Sequence, residues 1–120
     1  MIIAPYLCLV LSDEAFQVAF DDLEQDNEDR PAWILNSWSN ATCHTLSNKK
    51  GELCAVVAIR GWEGKTGVEV AGLLLHEAVH IWQRFRQHIG EDEPSAEFEA
   101  YSIQHLAQQL MQSFQEQTCA

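Results

Sequence analysis

The pattern of apolar and polar positions predicts a strand followed by a helix at the start of the chain. Residues 6–11 are apolar and partly β-branched, which is typical of a short buried strand. Ser12 follows as a candidate N-cap with two acidic residues behind it, and apolar positions then recur at helical spacing to about residue 25. Beyond a polar stretch, Pro31 blocks any continuation of this helix.

Two further strands are predicted in the middle of the chain. Residues 41–47 and 52–60 flank a short polar connection that ends in Gly51, as in a β-hairpin. The second segment is almost entirely apolar, and we therefore expect it to be a central strand of the sheet.

The second half of the chain predicts two long helices. Helical spacing runs from about residue 68 to residue 88, and Gly90 ends this helix. Glu93 followed by Pro94 is a plausible cap and first-turn pair for the last helix. Together these elements predict one α+β domain over residues 1–120, with a twisted sheet of three or four strands.

Composition and charge exclude several classes of protein. The 120 residues include 7 Lys or Arg and 18 Asp or Glu, so the formal net charge is −11. Nucleic acids and anionic membranes are bound through clustered basic residues, and neither is expected as a partner. Residues 1–11 are apolar but fall short of the roughly 20 that cross a bilayer, and they lack the basic start of a secretion signal. We therefore expect a cytoplasmic protein of undetermined oligomeric state.

The cysteines give no sign of a zinc ribbon or a redox motif. Cys8, Cys43, Cys54 and Cys119 are widely separated and form no CxxC pair. Two disulfides are arithmetically possible, but reduced thiols are expected in a chain without a secretion signal.

One pattern inside the first long helix carries chemistry. Residues 76–80 read His-Glu-Ala-Val-His, which is the HExxH pattern. His76 and His80 lie about 40° apart around a helix, so both imidazoles can bind one metal ion. Glu77 lies about 100° round from His76, where it can reach a water on that ion. The large apolar residues lie on the opposite side, so the histidines are expected on the exposed face.

A third metal ligand is expected from the last helix. Catalytic zinc takes three protein ligands and keeps a fourth position for water. Eighteen residues separate His80 from Glu99, which is enough for the first helix to end and the next to return beside it. Glu99 shares a stripe with the apolar residues Ile103, Leu106 and Leu110, so it faces the core, where a metal would compensate its charge. A partly exposed position at the edge of this stripe is the alternative.

The interval between the HExxH pattern and a Glu-Ala pair resembles that of the gluzincin clan of zinc metallopeptidases. The size and element order are similar to the small minigluzincins, and the resemblance covers residues 53–110. It implies a zincin-like fold with Zn²⁺ as cofactor, His76, His80 and Glu99 as its ligands, and Glu77 as general base and acid. The stretches LLHEAVHIWQ and EFEAYSIQ also resemble small HExxH proteins of tailed phages and prophages.

The implied activity is hydrolysis of a peptide or protein substrate. Zinc lowers the pKa of its bound water toward roughly 7 and polarises the scissile carbonyl, while Glu77 takes the proton and later protonates the leaving amine. In gluzincins an edge strand antiparallel to the substrate lines the cleft. Either residues 41–47 or residues 52–60 are the candidate for this strand.

One part of the larger gluzincin site has no clear counterpart. Those enzymes steady the oxyanion with a downstream His or Tyr, whereas only 21 residues follow Glu99. The candidates are Tyr101, His44, His88 and His105. Tyr101 lies about 200° from Glu99 on its helix, and the histidines are equally consistent with structural or surface positions.

Two other functions stay open at this point. A catalytically silent zinc-binding protein, such as a structural or accessory component of a phage, would keep the metal and lack turnover. A metal-free interaction module would carry HExxH by coincidence. Glu77→Gln separates the peptidase from the silent protein, and a chelator separates both from the metal-free module.

Overall fold

The sheet at the centre of the protein has a parallel and an antiparallel pair of strands. The computed structural model describes residues 6–25 and 28–119. Of the apolar residues 1–11, which are predicted to be too few to cross a bilayer, residues 1–5 therefore lie outside the described residues. The strands β1 (Tyr6–Val10), β2 (Ala41–Ser47) and β3 (Leu53–Ile59) lie in the order β1-β3-β2. β3 is parallel to β1 and antiparallel to β2.

The central position of β3 in the sheet confirms the prediction made from its almost entirely apolar sequence. All seven residues of β3 are buried, because the sheet is covered on both faces. β2 pairs only along β3 and therefore forms an edge of the sheet. Of the two candidates for an edge strand that binds substrate, residues 41–47 therefore lie at the edge and residues 52–60 do not.

Three helices cover the sheet. These are α1 (Asp13–Asp22), α2 (Gly67–His88) and α3 (Ala96–Thr118). Side chains alternate between the two faces of a strand, and the residues of β3 accordingly enter two separate cores. Val56 and Ala58 pack in the core under α1, whereas Ala55, Val57 and Ile59 pack in the core under α2 and α3.

Short polar side chains cap the first two helices. Ser12 Oγ accepts a hydrogen bond of 3.1 Å from the backbone N–H of Ala15, as the sequence predicts for α1. Thr66 and Glu69 form a reciprocal capping box at the start of α2. This arrangement fixes the beginning of the helix that carries the HExxH pattern.

The turn between α2 and α3 differs slightly from the prediction. Gly90 adopts a φ of +71° just beyond the end of α2, a conformation that costs glycine little. The N-cap of α3 is Ser95, whose hydroxyl accepts from the N–H of Phe98 at 3.2 Å. The predicted start at Glu93 and Pro94 is therefore wrong by two residues, because a serine hydroxyl caps a helix better than a glutamate.

The two long helices lie side by side, as the turn at Gly90 predicts. The rings of Trp82 and Phe98 pack edge to face, with their centroids 5.6 Å apart. Gln117 near the end of α3 donates a hydrogen bond of 2.9 Å to the carbonyl oxygen of Leu9 in β1. α3 is thereby attached to both α2 and the sheet.

Two further observations concern the chain as a whole. No helix of the described part combines the length and the apolar character needed to cross a membrane. The cysteines Cys8, Cys43, Cys54 and Cys119 carry free thiols.

Candidate functional site

A cleft of about 800 Å³ lies between the edge strand β2 and α2. α2 contributes His76, Glu77 and His80 to its wall, and β2 contributes Cys43 and Thr45. We call it the histidine cleft. Both histidines are exposed, in agreement with the helical pattern, because the large apolar side chains of α2 point to the sheet and to α3.

The two imidazoles of the histidine cleft face each other. The Nε2 atoms of His76 and His80 are 3.1 Å apart. Two zinc–nitrogen bonds of 2.0–2.1 Å at a tetrahedral angle place their nitrogens about 3.3 Å apart. The spacing of the pair therefore fits a single metal ion, with only a small adjustment of the side chains.

Gln83 orients one of these imidazoles. Its Oε1 atom lies 3.1 Å from Nδ1 of His80, one turn earlier on the same face of α2. An amide oxygen accepts, so this contact favours the tautomer in which Nδ1 carries the proton and Nε2 keeps its lone pair. This role of Gln83 was not predicted from the sequence. The signal was its spacing of three residues from His80, which places the two side chains side by side.

Glu77 is buried beside the histidine pair. Its side chain lines the histidine cleft although the residue is only 5% exposed. Burial raises the pKa of the Glu77 carboxyl, and the charges of His76 and His80 oppose that rise. A carboxylate with a raised proton affinity is the better general base. The arrangement therefore suits Glu77 to accept a proton within the cleft.

Glu99 is hydrogen-bonded to a buried residue of α2 outside the histidine cleft. The indole Nε1–H of Trp82 donates a hydrogen bond of 2.9 Å to Glu99 Oε2. Trp82 is buried in the core under α2 and α3, and it lies about 160° round the helix from His80. Glu99 does not line the histidine cleft.

The structure thus brings together two of the three predicted metal ligands. Within residues 6–25 and 28–119, no three His, Cys, Asp or Glu side chains lie close enough to hold one metal ion. Glu99 is partly exposed, which fits the alternative prediction of a position at the edge of the apolar stripe. A half-buried carboxylate is stabilised by a partner, and Trp82 supplies a hydrogen bond where the sequence predicts a metal.

None of the four candidate oxyanion residues lines the histidine cleft. His44 lies on the opposite face of the sheet, where it is buried against Phe16 and donates from Nε2 to the carbonyl oxygen of Trp33 at 2.9 Å. Tyr101 and His88 are exposed, and His105 is hydrogen-bonded to Gln109 within α3. The alternation of β2 explains His44, because its neighbours Cys43 and Thr45 face the cleft.

The rim of the histidine cleft is held by Arg60. Its guanidinium donates to the carbonyl oxygens of Ser39 at 3.0 Å, Asn36 at 3.1 Å and Ser37 at 2.7 Å. These three bonds fix the loop before β2, which lines the opening of the cleft. This role of Arg60 is not predictable from the sequence, because the three carbonyl groups lie more than twenty residues before Arg60.

The free edge of β2 borders the cleft. In an antiparallel pair, residues alternate between directing their N–H and C=O groups to the partner strand and away from it. Hydrogen bonds from Arg60 N to Asn40 O at 2.9 Å and from Asn48 N to Glu52 O at 3.0 Å assign the even-numbered positions to β3. The backbone groups of Cys43 and Thr45 therefore point to the open edge. In the part of the chain that the structure describes, no partner strand pairs with these groups, so the histidine cleft offers them to an extended ligand.

We compared the chain with protein-family models, with curated proteins and with solved structures, and none of them matches.

Proposed function

We propose that the protein is a zinc-dependent metallopeptidase of zincin-like fold that hydrolyses peptide bonds in the histidine cleft. One observation carries this proposal: the Nε2 atoms of His76 and His80, 3.1 Å apart, open on a cleft whose other wall is the edge strand β2. A pair of imidazoles fits a metal ion, and an open strand edge fits an extended peptide. The gluzincin resemblance unites both features in one activity.

The donor set supports zinc through the two histidines. His76 and His80 would hold the ion, and Glu99 is the third ligand that the resemblance implies. Glu99 would exchange its hydrogen bond with Trp82 for the metal. When bound, zinc supplies a Lewis acid that polarises the scissile carbonyl.

The side chains around the metal pair divide the remaining tasks. Gln83 holds His80 in the tautomer whose Nε2 is free to bind. Glu77 takes a proton from the attacking water and returns it to the leaving amine, for which its burial and raised pKa suit it. Cys43 and Thr45 bind the main chain of the substrate through the open edge of β2.

The test combines metal content with hydrolysis. We expect about one zinc per chain in the wild type, and its loss in His76→Ala and Glu99→Ala, measured by elemental analysis of untagged protein. Glu77→Gln is the matched variant, because it keeps the shape of the side chain and the metal ligands. It should retain zinc and lose at least a hundredfold in turnover of a quenched peptide library, in line with general-base catalysis of about 10²–10⁴-fold. A wild type that takes up no zinc after reconstitution would remove the proposal.

A second candidate is a catalytically silent zinc-binding protein, such as a structural or accessory component of a phage. It is favoured by the positions of Tyr101, His44, His88 and His105, none of which lines the histidine cleft. Such a protein would bind zinc through the same histidines and hydrolyse nothing. In that case Glu77→Gln would have no activity to remove, and zinc would raise only the melting temperature.

A further inference from the structure

A second, smaller cavity adjoins the histidine cleft at the end of β2. It has a volume of about 330 Å³ and is lined by Leu46, Ser47, Leu53, Arg84, Gln87 and His88. We call it the Arg84 cavity. Arg84 and Gln87 line both this cavity and the histidine cleft, so the two spaces meet at these side chains.

Arg84 differs from the other arginines in having no hydrogen-bond or ion-pair partner within residues 6–25 and 28–119. Arg30 pairs with Asp21 at 2.9 Å, and both Arg60 and Arg86 donate to backbone carbonyl oxygens. The side chain of Arg84, by contrast, makes no hydrogen bond or ion pair with the described residues. Its guanidinium is exposed and has all its donors available.

The surroundings of Arg84 suit an anion. The lining of the Arg84 cavity contains no carboxylate, while Ser47, Gln87 and His88 offer further donors. The carboxylates in the histidine cleft are Glu69 and the buried Glu77. Glu69 is bound to the first turn of α2, where its Oε1 accepts from Thr66 N at 2.9 Å.

The distance along α2 from His80 to Arg84 equals the length of about two residues of an extended peptide. Arg84 lies one turn beyond His80 on the same stripe of α2, about 6 Å further along the helix axis. An extended chain advances about 3.3 Å per residue, so this offset corresponds to about two residues. A ligand that lies along β2 with its centre at His76 and His80 would bring a nearby group to Arg84.

We propose that Arg84, together with Gln87 and Ser47, forms a subsite that binds a carboxylate of a peptide held in the histidine cleft. This inference rests on the proposed function, because it assumes that the cleft binds peptides. The carboxylate belongs either to an Asp or Glu side chain or to the C-terminus of the peptide. In both cases the guanidinium would bind it through charge-assisted hydrogen bonds.

The test measures binding, so it does not depend on turnover. The probes are Ala-Ser hexapeptides blocked at both ends, with one Glu at successive positions, and the same peptides with Gln. A hexapeptide without Glu but with a free C-terminal carboxylate tests whether Arg84 binds the C-terminus of a peptide and not an acidic side chain. Binding is measured by calorimetry with the full chain carrying Glu77→Gln, so that bound peptides are not cut.

The expected result is about tenfold tighter binding of one carboxylate-bearing peptide than of its neutral counterpart, the size of one charge-assisted hydrogen bond. Arg84→Gln should abolish that preference, and Arg84→Lys should restore part of it. Arg86→Gln is the matched control, since it removes the same charge from the same helix outside both cavities. It should keep the preference.

The outcomes separate this inference from the proposed function. Equal binding of the Glu and Gln peptides would overturn the carboxylate subsite and leave the peptidase proposal standing. A preference that depends on Arg84 in a protein without zinc or turnover would support the subsite and overturn the peptidase. A chain that binds none of the peptides would overturn the subsite, and the zinc and hydrolysis measurements would decide the peptidase separately.

Discussion

The indole N–H of Trp82 donates a hydrogen bond of 2.9 Å to the carboxylate of Glu99, a residue that does not line the histidine cleft. The contact links α2 to α3 and satisfies a half-buried acid on a stripe that is otherwise apolar. If Glu99 is also the third zinc ligand, the indole and the metal compete for one side chain. The stability of the metal-free protein and its zinc affinity are then coupled through this bond.

Trp82→Phe tests that competition. The variant removes the donor, so we expect the free energy of unfolding of the metal-free protein to fall by about 1–3 kcal/mol. Because Glu99 no longer has to leave a partner, zinc should bind about tenfold tighter, as measured by competition with a chromophoric chelator. Unchanged zinc affinity would mean that Glu99 has only a structural role.

Glu99→Gln is the matched variant for the same pair. Its amide oxygen can still accept from the Trp82 indole, so the free energy of unfolding should stay within about 1 kcal/mol of the wild type. Zinc affinity should nevertheless fall strongly, because an amide is a poor ligand for zinc compared with a carboxylate. Full retention of zinc by Glu99→Gln would exclude this residue from the metal centre.

Substitution of Gln83 tests metal binding by the histidine pair without changing either of the two histidines. Gln83→Ala removes the acceptor at His80 Nδ1, and we expect zinc affinity to fall about 10–100-fold, the usual cost of losing such a partner. Gln83→Glu should restore most of it, since a carboxylate accepts the same proton. Gln108→Ala, at an exposed position of α3, serves as the control for loss of a surface glutamine. An effect no larger than that of Gln108→Ala would contradict the role assigned to Gln83.

Two proline substitutions test the free edge of β2. The N–H of Thr45 points to the open edge, so Thr45→Pro should cost little stability while weakening peptide binding in the histidine cleft. The N–H of Leu46 points to β3, where Leu46 pairs with Cys54, so Leu46→Pro should cost clearly more stability than Thr45→Pro because it removes a hydrogen bond of the sheet. Urea unfolding compares the two variants. Equal destabilisation by both would show that the hydrogen-bond alternation assigned to β2 is incorrect.

The buried imidazole of His44 should make the free energy of unfolding depend on pH. Burial lowers the pKa of this imidazole, and the hydrogen bond to Trp33 opposes part of the shift. An unfolded histidine titrates near 6.5, so just below that pH the unfolded chain binds more protons than the folded one. The free energy of unfolding should therefore fall as the pH drops through about 6.5 toward the lower pKa of the folded state.

Urea unfolding between pH 7.5 and pH 5.0 measures this slope. His44→Leu cannot titrate, so its stability should fall less steeply over the same range, although the lost hydrogen bond lowers it at every pH. His88→Leu is the control for an exposed histidine and should keep the slope of the wild type. A wild-type slope in His44→Leu would place the titrating group elsewhere.

Local features of the chain were predictable because they depend on neighbours within a few residues. The apolar run of β3 required burial on both faces, and Ser12 could cap α1 only from its place before the first turn. The spacing of His76 and His80 placed both on one exposed face of α2, since four residues make about one turn. The α+β class of the fold followed from the order of these elements along the chain.

Tertiary packing decided the features that join distant segments. The pairing of strands made β2 the edge, and alternation along β2 turned His44 away from the cleft. The packing of α3 brought Glu99 to Trp82, where the carboxylate is partly exposed at the edge of the apolar stripe. A helical pattern shows which side of a helix is buried but not which neighbour covers it. That choice depends on the shapes and hydrogen bonds of two surfaces meeting in the folded protein.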